Sequence, residues 1–190
     1  MEHTLDAVRK DLISHLERAA SDRRSPMHTP VVATPDGGVR IMVLRHFDPA
    51  SWTLRFHTDA RAPKAVTIGQ GAKTGVLFYD REDQLQIRIE GKGRIVTQGN
   101  LVDAAWQESD AYARRCYLGE PPSLASDHPT SGLPPEVEGE RPSEEQLAPA
   151  RENFAVLLIE IGSADWYHLA HDGHRRALLR PDGTGNWLTP

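Results

Sequence analysis

The chain has 190 residues, of which 38% are hydrophobic and 26% charged, with a formal net charge of −5 and one cysteine. This size and composition predict one domain with a packed core, and the spread acidic charge excludes the basic surface of a nucleic-acid-binding protein. Because it has no second cysteine, no signal-peptide core and no apolar run of about 20 residues, we expect a cytoplasmic protein with no membrane partner, in which Cys116 is a buried or partly buried thiol.

The first part of the chain predicts one amphipathic helix, a hairpin, a further strand and a short helix. Apolar side chains recur at helical spacing after Thr4, which can cap the first helix. A Pro-Asp-Gly-Gly turn that begins at Pro35 predicts the hairpin, and Pro63 suits the first turn of the short helix. The first helix covers residues 4–20, the two hairpin strands residues 31–34 and 39–47, the further strand residues 52–58 and the short helix residues 63–70.

The rest of the chain predicts mostly strands, interrupted by a long helix and a long loop. Residues 84–96 alternate apolar and polar side chains, and Gly91 and Gly93 indicate a bulge or sharp curvature. Residues 118–141 are rich in proline, glycine and serine and predict a loop, which ends before a capping box at residues 143–146. The long helix is predicted at residues 100–117, and the other strands at residues 73–79, 154–161, 166–170 and 175–179.

The connections between the predicted strands indicate the fold class. Most of these connections are short turns, which favour an antiparallel sheet, and their regular spacing favours a barrel over an open sheet. Neither a GxGxxG nor a GxxxxGK[ST] motif is present to indicate a Rossmann or P-loop fold. The prediction is an α+β fold, mainly β, with an antiparallel barrel flanked by short helices.

Basic side chains are concentrated between residues 40 and 64, on two predicted strands and at the start of the short helix. Arginine and lysine on rigid elements bind phosphate through charge-assisted hydrogen bonds, and hydroxyl or imidazole groups suit the polar edge of an attached ring. The pattern therefore predicts a site for a phosphate-bearing cofactor. Its residues are Arg40, Arg45, His57, Thr58, Arg61 and Lys64.

The order and spacing of these residues resemble a known family, as do the segment 85–91 and Trp166 followed by Arg176. The family is that of the pyridoxamine 5′-phosphate oxidase-like FMN-binding split barrels, and the resemblance covers residues 26–117 and 153–190. It implies an antiparallel split β-barrel as a single domain over residues 1–190. It also implies FMN as the cofactor and a homodimer with FMN at the subunit interface.

The resemblance implies a role for each matching residue. Arg40 and Arg45 would meet the FMN phosphate and the ring edge; because they lie five apart, either the strand is bulged or the two contact different parts of the ligand. Lys64 would bind the phosphate. The residues that would contact the flavin or close its site are His57, Thr58, Gln86 (from the other subunit), Trp166 and Arg176, although core packing is an alternative for Trp166.

The chain departs from the family pattern at two places. The family's phosphate-binding Arg-Lys pair is Pro63-Lys64 here, so one cation is missing and Arg61 is a substitute. The motif that orients pyridoxine is Asp172-Gly-His174, and an acidic residue there would repel an anionic substrate. His174 and Arg115 remain the candidate substrate-binding residues.

The resemblance implies an FMN-dependent oxidoreductase that acts on a small organic substrate or a nicotinamide. The alternatives are a non-catalytic FMN-binding or flavin-storage protein, and a genuine pyridoxamine/pyridoxine 5′-phosphate oxidase with a rearranged substrate site; a deazaflavin or haem protein is a lesser alternative. His168, His171 and His174 raise a metal hypothesis, but their strand context favours polar residues near a hairpin. No metal site is predicted.

Overall fold

The computed structural model describes residues 4–190, so residues 1–3 of the predicted domain lie outside the described part. The fold is mainly β, and all strand pairs are antiparallel. The strands are β1 (Val31–Ala33), β2 (Val39–Ile41), β3 (Leu44–Asp48), β4 (Thr53–Asp59), β5 (Ala72–Asp80), β6 (Leu85–Val96), β7 (Phe154–His168), β8 (Arg175–Leu179) and β9 (Gly185–Leu188). The α-helices are α1 (Leu5–Ser21), α2 (Pro63–Ile68), α3 (Asn100–Glu108), α4 (Ala111–Arg115) and α5 (Glu144–Leu147).

The strands form one curled sheet in the order β2-β1-β5-β6-β7-β4-β3. Along one edge, β7 pairs with β6; along the other it pairs first with β4 and then with β8. The sequence predicted two strands here, but the structure has one 15-residue strand. The strand is continuous because the pairing with β6 continues past the point where β4 ends and β8 begins.

The bulge predicted in β6 lies in its partner strand: Glu90 pairs with Ser163 and Gly91 with Ile161, so the extra residue is Gly162 of β7. The register between β6 and β7 shifts between Glu90 and Gly91, and a Cβ at Gly91 would overlap the carbonyl oxygen of Glu160. Only glycine therefore allows the two backbones to approach this closely. The predicted alternation is confirmed, because Leu85, Ile87 and Ile89 are buried in the core.

Helix α1 packs its apolar stripe into the main core, and polar contacts fix its orientation. Leu12 and Leu16 are fully buried. Arg18 forms ion pairs with Asp80 and Asp83 at the turn between β5 and β6. The indole Nε1 of Trp166 donates a hydrogen bond to the Asp11 carboxylate at 2.7 Å.

Two predicted elements are interrupted in the structure. The strand predicted at residues 39–47 divides at Met42 and Val43, because β2 pairs with β1 whereas β3 pairs with β4. The helix predicted at residues 100–117 ends at Glu108, and Asp110 caps a new helix through its bond to the backbone N–H of Tyr112.

The segment that follows α4 is tied to the body of the protein. Cys116, expected to be buried or partly buried, is exposed, because it begins a 3₁₀ turn at the end of α4. Within the predicted loop 118–141, Val137 is buried, and the Arg115 guanidinium donates to the carbonyl oxygens of Val137 and Glu140. None of the helices in residues 4–190 has the length and apolar character needed to span a bilayer.

We predict that Asp11→Ala lowers the free energy of unfolding by about 1.5–3 kcal/mol, the range for a hydrogen bond to a charged group. The loss arises because the Trp166 N–H, in a side chain that is 3% exposed, is left without an acceptor. Urea unfolding measures the change. Glu17→Ala is the matched control, since Glu17 is exposed on the same helix, and it should change stability by less than about 0.5 kcal/mol. Equal effects of the two variants would contradict this role for Asp11.

Candidate functional site

A cleft of about 430 Å³ lies where the β2–β3 connection faces the α3–α4 break. The end of β4 and the start of α2 form its floor and one end. The wall on this side is formed by Ser109, at the break, and by residues of α4 and the turn that follows it. The lining residues are Arg40, Ile41, Met42, Val43, Arg45, His57, Lys64, Ser109, Tyr112, Ala113, Cys116 and Tyr117.

Arg40 and Arg45 face the same cleft although they lie five residues apart. The β-structure is interrupted at Met42 and Val43, and the β3–β4 register shifts between Leu44 and His46, so that Arg45 lies at a bulge. A bulge re-aims a side chain that a regular strand would direct to the other face. Of the two explanations suggested by the spacing, the structure therefore has the bulge.

Arg45 and Lys64 bring positive charge that the described protein does not neutralise. Within residues 4–190, neither side chain forms a hydrogen bond or an ion pair, and both are half-buried. Burial lowers the pKa of both groups, and the nearby positive charge of Arg40 lowers the pKa of Lys64 further. An anion bound between these two groups would reverse both effects.

Arg40 is held in place by neighbours from the β1–β2 hairpin. Its guanidinium donates to Thr34 Oγ1 at 2.8 Å and to the Val32 carbonyl oxygen at 3.4 Å. A Cβ at Gly38 would lie 2.5 Å from the guanidinium, so glycine leaves the space that it occupies. The guanidinium is therefore positioned before any ligand arrives, which reduces the entropy lost on binding.

His57 is a neutral imidazole in the wall of the cleft. Burial and the charges of Arg45 and Arg55 lower its pKa from 6.5 to about 3. Its ring packs edge-on against Phe154, with ring centroids 4.9 Å apart, and its Nδ1 lies 3.4 Å from Ser109 Oγ. The Nε2 atom is shielded from solvent and has no hydrogen-bond partner among the described residues.

Thr58 and Arg61, although predicted for the site, do not line the cleft. Thr58 is buried beside β7. Arg61 forms a two-pronged ion pair with Asp59 and also donates to the Gly119 carbonyl oxygen. Its Nε and Nη2 atoms are therefore already engaged, and it does not replace the missing cation from within the cleft.

Gln86, Trp166 and Arg176 lie outside the cleft of this chain. Trp166 is in the main core, which agrees with the packing alternative for this residue. Gln86 and Arg176 are on the outer face of the sheet, opposite the face that packs on the core. There, Arg176 pairs with Asp165 at 2.8 Å and lies over the Tyr167 ring.

The two candidate substrate residues do not line the cleft, although Arg115 lies over the ring of the lining residue Tyr112. His174 packs edge-on against Tyr167, and Arg115 holds the loop after α4. In residues 4–190, no group of three or more potential metal-ligand side chains is close enough to hold an ion.

Sequence reasoning missed most of the wall that is formed by Ser109, Tyr112 and Cys116. These residues face the cleft because the chain turns between α3 and α4. The available signal was Asp110, a preferred N-cap residue inside the predicted helix, followed by Ala111 and Tyr112. If Asp110 had been recognised as the start of a second helix, the break before it would have predicted that these residues face the site.

Residues 9–97 match the family model described as the pyridoxamine 5′-phosphate oxidase, FMN-binding domain. That segment runs from α1 to the end of β6 and contains Arg40, Arg45, His57 and Lys64. A curated pyridoxine/pyridoxamine 5′-phosphate oxidase from Erythrobacter litoralis is 34% identical over 118 residues. The match covers 58% of this chain and spans about half (50%) of the length of that relative.

Solved structures show the same fold at lower identity. A pyridoxamine 5′-phosphate oxidase-related, FMN-binding protein from Nostoc punctiforme matches with a TM-score of 0.74 and 21% identity, covering 95% of this chain and 97% of that one. PhzG from Burkholderia lata, solved in complex with tetrahydrophenazine-1-carboxylic acid, matches with a TM-score of 0.64 and 19% identity, covering 97% and 91%. These likenesses confirm the split-barrel prediction. The match over residues 9–97 shows that this part of the chain is similar to the FMN-binding domain of pyridoxamine 5′-phosphate oxidases.

Proposed function

We propose that this protein is an FMN-dependent oxidoreductase that binds FMN in the cleft and acts on a small organic substrate or a nicotinamide. The observation that carries the proposal is the pair of uncompensated cations, Arg45 and Lys64, in a concave site of a domain that is similar to an FMN-binding domain. The cleft volume of about 430 Å³ lies within the range of roughly 300–1,000 Å³ for small-molecule sites.

The phosphate of FMN fits the basic end of the cleft. Lys64 and Arg45 supply free charged donors, and Arg40 supplies a guanidinium that the hairpin already orients. Charge-assisted hydrogen bonds of this kind are about twice as strong as neutral ones. A dianion would also offset the electrostatic repulsion between Arg40 and Lys64.

The rest of the cleft suits the flavin ring and a substrate. Ile41, Met42, Val43 and Tyr117 offer apolar surface next to the polar groups of His57. When bound, FMN would supply the redox chemistry. The role of the protein's own residues is to hold the nucleotide, orient its ring and exclude water from its apolar side.

We also propose that the active form is a homodimer. Cross-strand partners place Tyr79, Gln86, Tyr167 and Arg176 in one row, since neighbouring strands pair these residues directly. A parallel row contains Ile41 and Leu77, both paired with Val31.

Exposure supports an interface on this outer face of the sheet. Ile41, Leu77 and Tyr79 are exposed there, and Val39 is exposed nearby on β2. An apolar surface of this kind usually marks a protein–protein contact. Because Ile41 also lines the cleft, a second copy docked on this face would bring its own Gln86 and Arg176 towards the bound flavin. The roles predicted for these two residues would then belong to the partner subunit.

The alternative functions differ in their substrate and in whether the protein is a catalyst. The curated relative favours a pyridoxine/pyridoxamine phosphate oxidase. Against that activity, Asp172 is exposed and pairs with Arg175, and its pKa is lowered by that arginine, so it stays negative where the substrate motif requires a cation. A cytoplasmic location remains part of the proposal, as FMN enzymes with a free thiol fit a reducing compartment.

Lys64→Ala should weaken FMN binding by about 1.5–3 kcal/mol, or roughly 10- to 150-fold, because a charged hydrogen bond to the phosphate is lost. Arg45→Ala should have a similar effect. Quenching of flavin fluorescence on titration measures both. Lys10→Ala, at an exposed position on α1, is the matched control and should bind as the parent does. Parent-like affinity in both cleft variants would show that the phosphate lies elsewhere.

Ile41→Glu should convert the dimer to a monomer, since it places a charge in the apolar interface. Sedimentation velocity measures the change in mass. Leu124→Glu is the control, because Leu124 is an exposed apolar residue in the 118–141 segment, away from the sheet face. A monomeric parent protein, or a dimer in the Ile41 variant, would rule out this interface.

Anaerobic reduction of the FMN-loaded protein separates the alternative functions. Bleaching of the flavin by NADPH or NADH is the outcome expected for the proposed oxidoreductase. Reduction by pyridoxine 5′-phosphate, with oxygen consumption in air, would instead identify the phosphate oxidase. If only dithionite bleaches the flavin, the protein is a flavin-binding or storage protein and the catalytic proposal fails.

A further inference from the structure

The turn between β1 and β2 holds an acidic side chain near the basic end of the cleft. Asp36 Oδ1 accepts hydrogen bonds from the Thr34 hydroxyl at 2.6 Å and from the Gly38 backbone N–H at 3.2 Å. These bonds lower the pKa of Asp36, so its carboxylate is charged at neutral pH. By its charge alone, an anion beside a phosphate site opposes the binding of phosphate.

The buried hydroxyl of Thr34 connects Asp36 with Arg40. Its two possible acceptors are the Asp36 carboxylate at 2.6 Å and the Gly38 carbonyl oxygen at 3.1 Å. The carboxylate is closer and charged, so it takes the single hydroxyl hydrogen. The hydroxyl oxygen then accepts from Arg40 Nη1 at 2.8 Å. Within residues 4–190, the Nε and Nη2 atoms of Arg40 have no hydrogen-bond partner, so both are available to a ligand.

Gly38 leaves open the space in which these three side chains meet. A Cβ at Gly38 would lie 2.5 Å from Arg40 Nη2, 3.1 Å from Thr34 Oγ1 and 3.2 Å from Asp36 Oδ1. The closest of these atoms is at the end of a flexible side chain. A methyl group at this position would therefore displace the guanidinium and leave the backbone in place.

Asp36 also contacts the helix that carries Lys64. Its Oδ2 atom accepts from the Thr67 hydroxyl at 3.4 Å, a long hydrogen bond between the turn and α2. Thr67 follows Lys64 by three residues, so the two lie on neighbouring positions of the helix surface. One carboxylate therefore links the supports of two cations that reach the cleft from different elements.

We propose that Asp36 is a positioning residue for the FMN phosphate. Through Thr34 it orients the Arg40 guanidinium. Through Thr67 it fixes α2, which carries Lys64, so that both cations can bind one phosphate group. Groups that are oriented before the ligand arrives lose less entropy on binding, and this gain outweighs the repulsion between the Asp36 carboxylate and the phosphate. The inference rests on the proposed binding of FMN in the cleft.

The direction in which Asp36→Ala changes FMN affinity separates positioning from charge. If only the charge mattered, loss of the carboxylate would strengthen FMN binding, because an anion near the phosphate is removed. We expect instead that Asp36→Ala weakens FMN binding about 3- to 10-fold, as the loss of one hydrogen bond would. Riboflavin, which has no phosphate, should bind to the variant as it does to the parent. Quenching of flavin fluorescence on titration measures both dissociation constants.

Variants of Thr34 and Gly38 test the route by which Asp36 acts. Thr34→Val, which loses the hydroxyl, should weaken FMN but not riboflavin, and Thr34→Ser should restore the parent affinity. In an Arg40→Ala background, Thr34→Val should have no further effect, because it acts through Arg40. Gly38→Ala should weaken FMN by displacing the guanidinium.

Thr74→Val is the matched control for Thr34→Val. Thr74 is also a buried threonine whose hydroxyl donates to a carbonyl oxygen, and it does not line the cleft. Its variant should bind FMN and riboflavin as the parent does. Circular dichroism checks the fold of each variant, and Thr34→Val and Gly38→Ala supply the test if Asp36→Ala does not fold.

Three results would overturn the inference: Asp36→Ala binds FMN more tightly than the parent, binds it equally well, or loses FMN and riboflavin affinity to the same extent. A failure of the proposed function has a different signature, which is seen in the parent protein itself. A parent that does not bind FMN, or that binds riboflavin as tightly as FMN, would remove the phosphate site and the positioning role together.

Discussion

Uncompensated positive charge in a half-buried cleft is the constraint on which the functional reading of this structure depends. Removing a cation from water is costly unless a partner or ligand of opposite charge is present. Arg61, Arg114 and Arg176 follow that rule, since each pairs with a carboxylate. Arg45 and Lys64 have no such partner in the described chain. Asp59 raises the pKa of Lys64, but burial and the charge of Arg40 lower it by more. This contrast is the physical basis of the proposal that these two cations bind an anionic ligand.

Irregular backbone brings that charge together. The cleft exists because β2 and β3 pair with different neighbours, because Arg45 lies at a bulge, and because α3 stops at Glu108. A regular strand and an unbroken helix over the same residues would have sent Arg45 to the other face of the sheet and turned Tyr112 away. Irregular segments supported by a rigid sheet are a common location for binding residues. Here the support is β7, which pairs with β4 over residues 154–160 and with β6 over residues 156–168.

The family motif is divided between two surfaces in this chain. Arg40, Arg45, His57 and Lys64 line the cleft, whereas Gln86 and Arg176 lie in a row on the outer face. The proposed homodimer on the exposed apolar part of that face would account for the division, since each subunit would complete its neighbour's site. Trp166 has a different role in the monomer: its indole is buried and joins the sheet to Asp11 of α1. Trp166 therefore matches the family pattern in sequence, but in this structure it packs in the core.

The sequence by itself determined most of the elements, their antiparallel pairing, the close approach of backbones at Gly91 and the resemblance to the family, because side-chain period and turn residues are local properties. Four of the residues that it predicted for the site, on β2, β3, β4 and α2, line the cleft. It did not determine that Arg61 is engaged by Asp59, that Cys116 is exposed, or that Ser109 faces His57. Only the tertiary structure decided these points, because pairing, exposure and the direction of a side chain at a bulge or helix break depend on neighbours that are distant in the chain.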